Sequence, residues 1–513
     1  MKMQAMIASG LGAASLLLAA GLASAPAFAE DVTLKMAVPD WPPTHIMKDL
    51  FDKTYKPKSG NKVTLDVDFI PWPDYYTRLN ASLTSGEKKY NMAVSDSQWL
   101  GAFIEGGYYL NINKYVDADP GLQAVFKDLH PAVKNAYSTY PYKSDQLYGF
   151  PQMPDLVINY FRKDVFCDDT EQKNFKAKYN YKLPCTPEEM DQITWDNYKD
   201  IGEFFKRKKG DMLMGKPLDD DFFGIEFQVG KGYDFFTTST HQFVWQHGGD
   251  IWDETKQPNA HAVGVVNSPT AVKAFDHLLS FVKYMPPEGT TGNLDIFKTD
   301  ELFRAGKVAS NLEWIGFAES SIHPDTSKVA DKIAFAQMPG LKTDKGIDRT
   351  SQIGGQPFVL MTWNTDLQNK EALDFVKWWL SKDTQIAFAK AGGQSALKSV
   401  YTDPSYVTFR PWNRTWAESL DWQKDFWHIP EFFELLTEQQ EEWAHAHGYH
   451  ELVVKTKNRF YAMRATLDHL NFDVVKFQRH LRDNHESKVF LSKKIAAEVL
   501  GKHQTSRSVV EAA

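Results

Sequence analysis

A carboxylate and an indole stand side by side near the middle of the chain. The stretch VASNLEWIG, residues 308–316, ends an apolar run on Asn311, Glu313 and Trp314, just before a glycine. An indole offers a flat apolar face, whereas amide and carboxylate oxygens bind hydroxyl groups. We therefore predict that these three residues lie where a strand runs into a cleft that holds a hydroxyl-rich ligand. The alternative for Trp314 is a tryptophan buried in the core.

The chain is rich in the same type of side chain elsewhere. It contains 15 Trp, 21 Tyr and 34 Phe, which make up 14% of the residues and exceed what a core alone usually needs. Aromatic rings that carry a polar group are common where a wet, flat ligand is held.

Aromatic and polar residues occur together in three loops near the start of the chain. Hydrophobic periodicity predicts strands at residues 32–38, 62–70 and 91–94, which alternate with helices at 44–55 and 73–83. This order is typical of a mostly parallel sheet covered by helices, in which ligands lie beyond the carboxyl ends of the strands. The loops at those ends carry the candidate ligand-binding residues Asp40, Trp41, Trp72, Tyr75, Asp96, Ser97 and Gln98. For Trp72 and Tyr75, simple helix packing stays an equal alternative.

The first 29 residues read as an export signal. Lys2 precedes an apolar run, and residues 27–29 form an A-x-A cleavage site. We expect a cleaved signal peptide and a soluble periplasmic protein; an uncleaved membrane anchor is the alternative. An oxidising compartment would let the only two cysteines, Cys167 and Cys185, form a disulfide, and two free thiols are the alternative.

Bulk charge and length exclude some classes of protein. The net charge of −8 argues against a nucleic-acid partner, which would require clustered Lys and Arg. A chain of 513 residues exceeds one hydrophobic core, so we expect at least two lobes.

Ser268 and Pro269 mark one helix start, and residues 369–380 predict another helix. Residues 430–500 are charged and are interpreted as helix-rich, and residues 501–513 as a frayed tail.

Signatures of catalysis, metals and cofactors are missing from the sequence. It contains no G-x-S-x-G, H-E-x-x-H or C-x-x-C motif. A phosphate-loop-like run at residues 210–216 is followed by Pro217 instead of Ser or Thr, so it is rejected. His445, His447 and His450 lack the spacing of a known metal site. We therefore predict no catalytic residue, no metal and no cofactor, although a glycosidase acid pair could go unmarked in a sequence.

Five segments in the same order resemble the family 1 extracellular solute-binding proteins of ABC importers, the group that includes maltose-binding protein. The segments are YGFPQMPDLVINYFRKDVF at 148–166, TWDNYKDIGEFFKR at 194–207, the stretch from QHGGDIWDE to VNSPTAVKAFDHLLSFV at 246–282, LFRAGKVASNLEWIGFA at 302–318, and the stretch from GGQPFVLMTWN to AFAKAGG at 354–393. Each segment alone is weak, whereas five in the right order are strong.

The resemblance implies an α/β fold of two lobes, each a mostly parallel sheet flanked by helices, joined by crossover hinge strands. The first lobe would hold residues 31–150 with 357–399, and the second 151–356 with 400–500. The two lobes would close on the ligand by a hinge motion. The family is non-enzymatic, and the resemblance implies a monomer that delivers a saccharide or polyol to the membrane permease of an ABC importer.

The resemblance also implies roles for particular residues. Trp314 stands where the family places an aromatic ring that stacks on a sugar. Gln152 and Asp155 fall at the first crossover, and Gly355 and Gln356 at the second, where close backbone approach is expected. Less specific candidates are Phe235, Phe236 and His241, which lie near an aromatic-bearing segment of the maltose binders. Arg410 and Arg414, which flank Trp412, are interpreted as partners of surface acids rather than as an anion site.

Two alternative functions stay open from the sequence. One is a secreted carbohydrate-active enzyme whose acid pair is not visible in one dimension. The other keeps the fold but makes the protein a periplasmic sensor or a scaffold for another exported protein, a reading motivated by the charged segment after Pro430.

Overall fold

The computed structural model describes residues 29–230, 235–253, 255, 264, 265 and 268–429, together with the backbone of four strands between residues 451 and 512. The predicted signal peptide through residue 28 and the three histidines at 445, 447 and 450 lie outside the described residues.

The strands of the described residues are numbered in chain order. They are β1 Asp31–Pro39, β2 Lys62–Ile70, β3 Met92–Val94, β4 Gly149–Arg162, β5 Met212–Leu213, β6 Lys216–Pro217, β7 Phe223–Phe227, β8 Val308–Trp314, β9 Ile333–Ala336, β10 Leu341–Thr343, β11 Gly346–Asp348, β12 Ser351–Leu360, β13 Gln423–Lys424, β14 Glu451–Lys457, β15 Asp473–Arg479, β16 Ser487–Lys494 and β17 Val509–Ala512.

The α-helices are numbered in the same way. They are α1 Pro42–Thr54, α2 Trp72–Thr84, α3 Ser97–Glu105, α4 Asn113–Ala118, α5 Pro120–Lys127, α6 Pro131–Tyr137, α7 Lys163–Phe166, α8 Asp169–Tyr179, α9 Pro187–Met190, α10 Trp195–Phe205, α11 Phe235–Gln246, α12 Pro269–Val282, α13 Pro287–Thr291, α14 Ile296–Arg304, α15 Ala318–Ile322, α16 Asp366–Trp379, α17 Lys382–Lys390, α18 Lys398–Tyr401 and α19 Asn413–Ser419.

Strand and helix alternate at the start of the chain as the periodicity predicts. β2 has the predicted bounds, and β1 and β3 differ from their predictions by one residue at most at each end. The helix predicted after Ser268 begins at Pro269, and the Ser268 side chain caps it by accepting a hydrogen bond from the backbone of Ala271. Period-two alternation and Pro-led helix starts were therefore sufficient to place these elements.

The central sheet has the strand order β2-β1-β3-β12-β4-β8-β7, and β9 pairs with β4. β1 runs parallel to β2 and β3, and β7 runs parallel to β8. β12 is antiparallel to both β3 and β4, and β4 is antiparallel to β8. The first three strands and β8-β7 are therefore two parallel groups, connected through the β12–β4 pair.

β4 and β12 are buried along almost their whole length because both faces of the sheet are covered. The first residues of β4 pair with β12, which pairs with β3 on its other side. The last residues of β4 pair with β8 and β9. This arrangement is the one expected for strands that cross between two lobes. The exact lobe boundaries stay a prediction.

The helix-rich interpretation of the segment after residue 430 is wrong for the residues that are described there, which are strands. Its described backbone forms a four-stranded sheet of order β15-β16-β14-β17. The expected frayed end is wrong over Val509–Ala512, since β17 pairs in parallel with the first residues of β14. The sequence ELVVKTK of β14 contains the β-branched residues Val453, Val454 and Thr456, which favour a strand in spite of the charged residues around them.

Cys167 and Cys185 form the predicted disulfide, with their Cα atoms 5.0 Å apart. The bond connects the end of α7 to the residue before the N-cap of α9, so it closes the loop that contains α8. The rejected phosphate-loop resemblance lies in the small β5–β6 hairpin, consistent with that rejection.

Candidate functional site

A cleft lies where the loops after β1, β2 and β3 meet the end of β8 and the middle of β4 and β12. It contains about 510 Å³ of space not filled by atoms, which includes space open to solvent. The lining residues are Trp41, Trp72, Asp96, Ser97, Asp155, Ile296, Phe297, Trp314, Phe317, Gln352, Gly354, Gly355 and Gln356.

After each of β1, β2 and β3 a helix begins within a few residues, and this short connection fixes the position of the side chains in the loop. Trp41 is the extended residue before Pro42, which begins α1, and Trp72 is the first residue of α2. The Trp72 ring stacks on Trp99 with 5.9 Å between ring centroids, so its orientation is fixed. Asp96 caps α3 and accepts a hydrogen bond from the backbone of Gln98 at 3.0 Å. Three parallel strands therefore deliver two indoles and a carboxylate to one edge of the sheet.

Trp314 reaches the cleft because β12 has no side chain at Gly354. A Cβ atom at Gly354 would lie 2.2 Å from the Trp314 ring, so the indole packs directly on the β12 backbone. Gly316 plays the same part for Trp41, since its Cβ would lie 2.6 Å from that ring. Both indoles, one from each parallel group of strands, thus pack against glycines.

Gly355 is required by the backbone itself. Its φ of +89° is a conformation that residues with a side chain rarely adopt, and a Cβ would lie 2.1 Å from the Met153 carbonyl oxygen. The register of β4 and β12 shifts between Gln356 and Pro357, so the sheet bends beside the cleft.

Asp155 is a buried carboxylate whose hydrogen-bond partners in the described residues are backbone N–H groups. Its Oδ1 accepts hydrogen bonds from the backbone N–H groups of Leu156 at 2.9 Å and Gly316 at 3.2 Å. Burial raises the pKa of Asp155 to about 8, although these backbone donors favour the charged form. A hydroxyl-rich ligand could meet either protonation state of this group, because hydroxyls both donate and accept hydrogen bonds.

Two amide side chains add further polar atoms to the cleft. Gln352 and Gln356 both belong to β12 and line the cleft together with Gly354 and Gly355. Among the described residues, the Oε1 atoms of both glutamines and the Nε1 atom of Trp41 are buried without a hydrogen-bond partner. Buried polar atoms normally have partners, so these three atoms are suited to bind a ligand or water.

An aromatic wall completes the cleft. The rings of Phe297 and Phe317 meet edge to face with 5.9 Å between centroids, and Phe317 also meets the edge of Trp41 at 6.5 Å. Phe297 lies in the first turn of α14, which Asp295 caps through the backbone of Phe297 and Lys298.

No Lys, Arg or His side chain belongs to the lining set of this cleft in the described part of the chain. Arg410 pairs with Glu319 at 2.7 Å, and Arg414 pairs with Asp191 and Glu418. Trp412 between them is fully buried. The interpretation of the two arginines as partners of acids is confirmed.

The structure brings together eight of the fourteen residues that the sequence proposed for ligand binding. They are Trp41, Trp72, Asp96, Ser97, Asp155, Trp314, Gly355 and Gln356. Their role in binding stays a prediction, whereas their convergence in one cleft is a feature of the fold.

The other six candidates do not line the cleft. Asp40 is exposed and pairs with His45 at 2.7 Å. The Tyr75 hydroxyl is buried between the carbonyl oxygens of Ala37 and Val94, so this ring packs α2 on the sheet. Gln98 and Gln152 are buried, and the carbonyl of Gln152 accepts a hydrogen bond from the Trp379 indole.

Asn311 and Glu313 are separated from Trp314 by the pleat of β8. Consecutive strand residues point to opposite faces, so Trp314 enters the cleft whereas Glu313 points toward α14 and accepts a hydrogen bond from Thr299. Burial, the largest cause, raises the pKa of Glu313 well above its usual value. Asn311 pairs with Tyr160 and Glu226 in the buried strands on either side.

The less specific candidates lie deep in the second group of elements. Phe235 and His241 are buried in α11, and Phe236 is partly buried. None of the three belongs to the lining set.

Sequence reasoning missed five lining residues: Ile296, Phe297, Phe317, Gln352 and Gly354. Gln352 and Gly354 could have been found, because they share a strand face with the predicted Gln356. No local signal marks Ile296 and Phe297, which the tertiary fold brings to the cleft from a helix start.

The described residues include no helix with the length and hydrophobicity that a bilayer span requires. They also contain no group of three or more His, Cys, Asp or Glu side chains arranged to hold a metal ion.

The family model for "Bacterial extracellular solute-binding protein" matches residues 51–409, which include most of the lining residues. A lactose-binding protein of Rhizobium radiobacter is 25% identical to this chain over 427 residues, which cover 80% of this chain and 86% of that protein.

Solved structures show the same fold. One is an ABC transporter solute-binding protein from Agrobacterium radiobacter K84 in complex with ribitol, with a TM-score of 0.59, 22% identity, and coverage of 81% of this chain and 94% of that one. Another is maltose-bound MalE3 of T. maritima, with a TM-score of 0.61, 18% identity, and coverage of 81% and 94% respectively. The two-lobed fold expected from the sequence is therefore confirmed.

Proposed function

The chain belongs to the family of bacterial extracellular solute-binding proteins, and from that premise we propose that it binds an uncharged saccharide or polyol in the interlobe cleft. It then delivers the solute to the membrane permease of an ABC importer. The observation that carries this proposal is a cleft with five aromatic rings, two carboxylates and two glutamine amides, but no cationic side chain among its described lining.

The chemistry of the cleft favours this class of solute over others. Sugar rings present a flat C–H face to an indole and a rim of hydroxyls to carboxylate and amide oxygens. A sugar acid or a phosphate would have to lie close to the buried Asp155, and among the described residues no cationic side chain lines the cleft to neutralise it. The lactose, maltose and ribitol of the relatives are uncharged compounds of the favoured kind.

A thermal-shift screen tests this proposal. Purified protein is heated with neutral saccharides, with polyols and with the corresponding sugar acids, because a solute that binds the folded state raises the melting temperature. We expect a shift with at least one neutral compound and none with its acid counterpart. A library without any shift, or a preference for acids, would contradict the proposal.

The predicted lobes, residues 31–150 with 357–399 and residues 151–356 with 400–500, give this proposal its mechanism. β4 and β12 are the strands shared between the two parallel groups, so bending there would move Trp41, Trp72 and Asp96 relative to Trp314 and Phe317. The solute would be enclosed between indoles that each lobe supplies. We propose that the protein acts as an exported monomer in the periplasm.

The solute leaves this protein chemically unchanged in our proposal. The family and its structural neighbours are binding proteins. The feature that would favour an enzyme is the pair of cleft carboxylates, Asp96 and Asp155, with the raised pKa of Asp155. Long incubation with oligosaccharides followed by an assay for new reducing ends distinguishes the two functions, and new ends that disappear in Asp155→Asn would establish catalysis.

A further inference from the structure

The carboxylate of Asp155 and the indole of Trp41 meet beside Gly316. The point at which a Cβ atom of Gly316 would stand lies 2.6 Å from the Trp41 ring and 3.1 Å from Asp155 Oδ2. The backbone N–H of Gly316 also donates a hydrogen bond to Asp155 Oδ1, so the same glycine orients the carboxylate. Asp155 and Trp41 both line the cleft, and a carboxylate oxygen and an indole are therefore neighbours in it.

Two further rings of the cleft lining lie near Asp155. Gly354 is the residue of β12 that pairs with Asp155 across the sheet, and the Trp314 ring packs directly on Gly354. Phe317 meets the edge of Trp41 with 6.5 Å between ring centroids. The faces of aromatic rings are negative and attract cations, most strongly when the ring is an indole. The surroundings of this carboxylate therefore favour a positive charge.

Ionised Asp155 has no positive side chain opposite it in the described lining of the cleft. Burial raises the pKa of Asp155 to about 8, and the groups that act in the other direction are the backbone N–H groups of Leu156, Gly316 and Ile315. These backbone dipoles stabilise the carboxylate only in part, since the net result is a raised pKa. A cation that enters the cleft would therefore meet a carboxylate whose charge is not yet compensated.

The ionisable side chains that approach Asp155 from other elements do not supply this charge. Burial raises the pKa of Tyr137 on α6 well above its usual value, and Asp425, Asp155 and Asp96 raise it further. Burial also raises the pKa of Tyr160 on β4 well above its usual value, with smaller contributions from carboxylates that include Asp155. Both phenols are therefore neutral near pH 7, and the other groups are acids.

We propose that the cleft takes a second class of ligand, a hydroxyl-rich compound with a protonated amine, such as an amino sugar or an amino alditol, and that Asp155 pairs with the ammonium group. The ammonium group would lie beside Asp155 Oδ2 and the Trp41 indole, where charge pairing and cation–π attraction act together. Asp155 releases its proton to solvent when this group binds. The inference rests on the proposed function, because the same cleft binds the hydroxyl-bearing skeleton.

Two matched pairs of compounds test this proposal. One pair is D-glucitol and 1-amino-1-deoxy-D-glucitol, and the other is D-galactose and 6-amino-6-deoxy-D-galactose. Each amine is a primary alkylamine, which like a Lys side chain stays protonated to about pH 10. Dissociation constants are measured by calorimetry at about pH 8, where a large share of Asp155 is ionised. We expect at least one amine to bind about tenfold or more tightly than its neutral counterpart.

The pH dependence of binding provides a second measurement in the parent protein. Between about pH 6 and about pH 8 the ionised fraction of Asp155 rises by at most about tenfold per pH unit, because its pKa is about 8. The affinity for the amine should rise with it, whereas the affinity for the neutral compound should change much less. This measurement also serves if a variant of Asp155 does not fold.

Asp155→Asn removes the negative charge and keeps the size of the side chain. It should abolish both the preference for the amine and the rise of its affinity with pH. Glu371→Gln is the matched control, because Glu371 is a buried carboxylate outside the lining set that accepts hydrogen bonds from Ser59 at 3.0 Å and Asn61 at 2.8 Å. It should keep the preference for the amine.

The proposal is overturned if neither amine binds more tightly than its neutral counterpart, or if amine affinity does not rise with pH. It is also overturned if folded Asp155→Asn keeps the preference, or if Glu371→Gln loses it to the same extent. The proposed function is tested separately by the neutral compounds of the thermal-shift screen. A neutral solute that binds without any preference for amines would refute this inference alone.

Discussion

At the scale of single residues, the cleft depends on its glycines, which have no side chain, as much as on its aromatic residues. Trp314 and Trp41 occupy their positions because Gly354 and Gly316 leave room for the rings. The sequence identified both tryptophans from their polar neighbours, but it assigned Glu313 to the same cleft as Trp314. Adjacent residues of a strand face opposite ways, so a motif of neighbours in the sequence can contribute only alternate members to one site.

Substitution of Gly354 by Ala should displace the Trp314 ring and weaken solute binding about tenfold or more, since an oriented aromatic contact is lost. The dissociation constant is measured by calorimetry with the solute found in the thermal-shift screen. Gly393→Ala is the matched control, because its Cβ would lie 2.2 Å from the Phe388 ring, away from the cleft-lining set. Equal loss of affinity in both variants would show that the effect is not local to Trp314.

Asp155 should make the stability of the protein fall with rising pH. Burial raises its pKa to about 8 in the folded state, above the value of about 3.9 in an unfolded chain, so the folded state binds its proton more tightly. Between those two pKa values the free energy of unfolding falls by at most about 1.4 kcal/mol per pH unit from this group. The amide introduced by Asp155→Asn cannot ionise, so the free energy of unfolding of this variant should fall less with rising pH than that of the parent protein.

The test of Asp155 is urea unfolding of both proteins at about pH 5 and about pH 8, a range that lies within the window of this linkage. The difference between the two proteins isolates Asp155, because Glu226, Glu313 and Asp425, whose pKa values are also raised by burial, remain in both. Parallel loss of stability in the two proteins would refute this assignment.

At the scale of elements, local patterns predicted the first strands and helices well. The alternation of β2 and the Ser268–Pro269 helix start needed no tertiary information. The error came after residue 430, where high charge was interpreted as helix although β14 contains the β-branched residues Val453, Val454 and Thr456. Charged residues are compatible with either structure, so the content of β-branched residues was the better guide.

The disulfide should stabilise the protein without taking part in binding. In the chain-entropy model, a bond between residues 18 apart stabilises the folded state by about 3 kcal/mol. The Cys167→Ser and Cys185→Ser double variant should therefore unfold at lower urea concentration while its dissociation constant for the solute is unchanged. Reduction of the parent protein should give the same two results, and weaker binding in either case would connect this loop to the cleft.

At the scale of the whole molecule, the sequence could not predict which distant residues meet. The resemblance gave the two lobes, but the contact of Ser97 with Asp425 joins residues 328 positions apart and has no local signature. The same holds for Phe297, which enters the cleft from α14. Contacts between residues far apart in the sequence depend on the packing of all the elements between them, which hydrophobic periodicity does not encode.

A chain that ends at Ile429 should fold and bind the solute with an unchanged dissociation constant. The lining residues fall between Trp41 and Gln356, the family match ends at residue 409, and residues 423–429 still contact β12 and Asp250. Circular dichroism and calorimetry check folding and binding. Loss of binding in a folded truncated protein would assign the segment after residue 430 to the solute site.

A crystal structure with the solute selected by the thermal-shift screen tests the central claim most directly. The account predicts an uncharged saccharide or polyol between the two lobes, with an apolar face on Trp314 or Trp41 and hydroxyl groups within hydrogen-bond distance of Asp155 and Gln356. A solute bound on another surface, with this cleft empty and Trp314 sealed from it, would contradict the account.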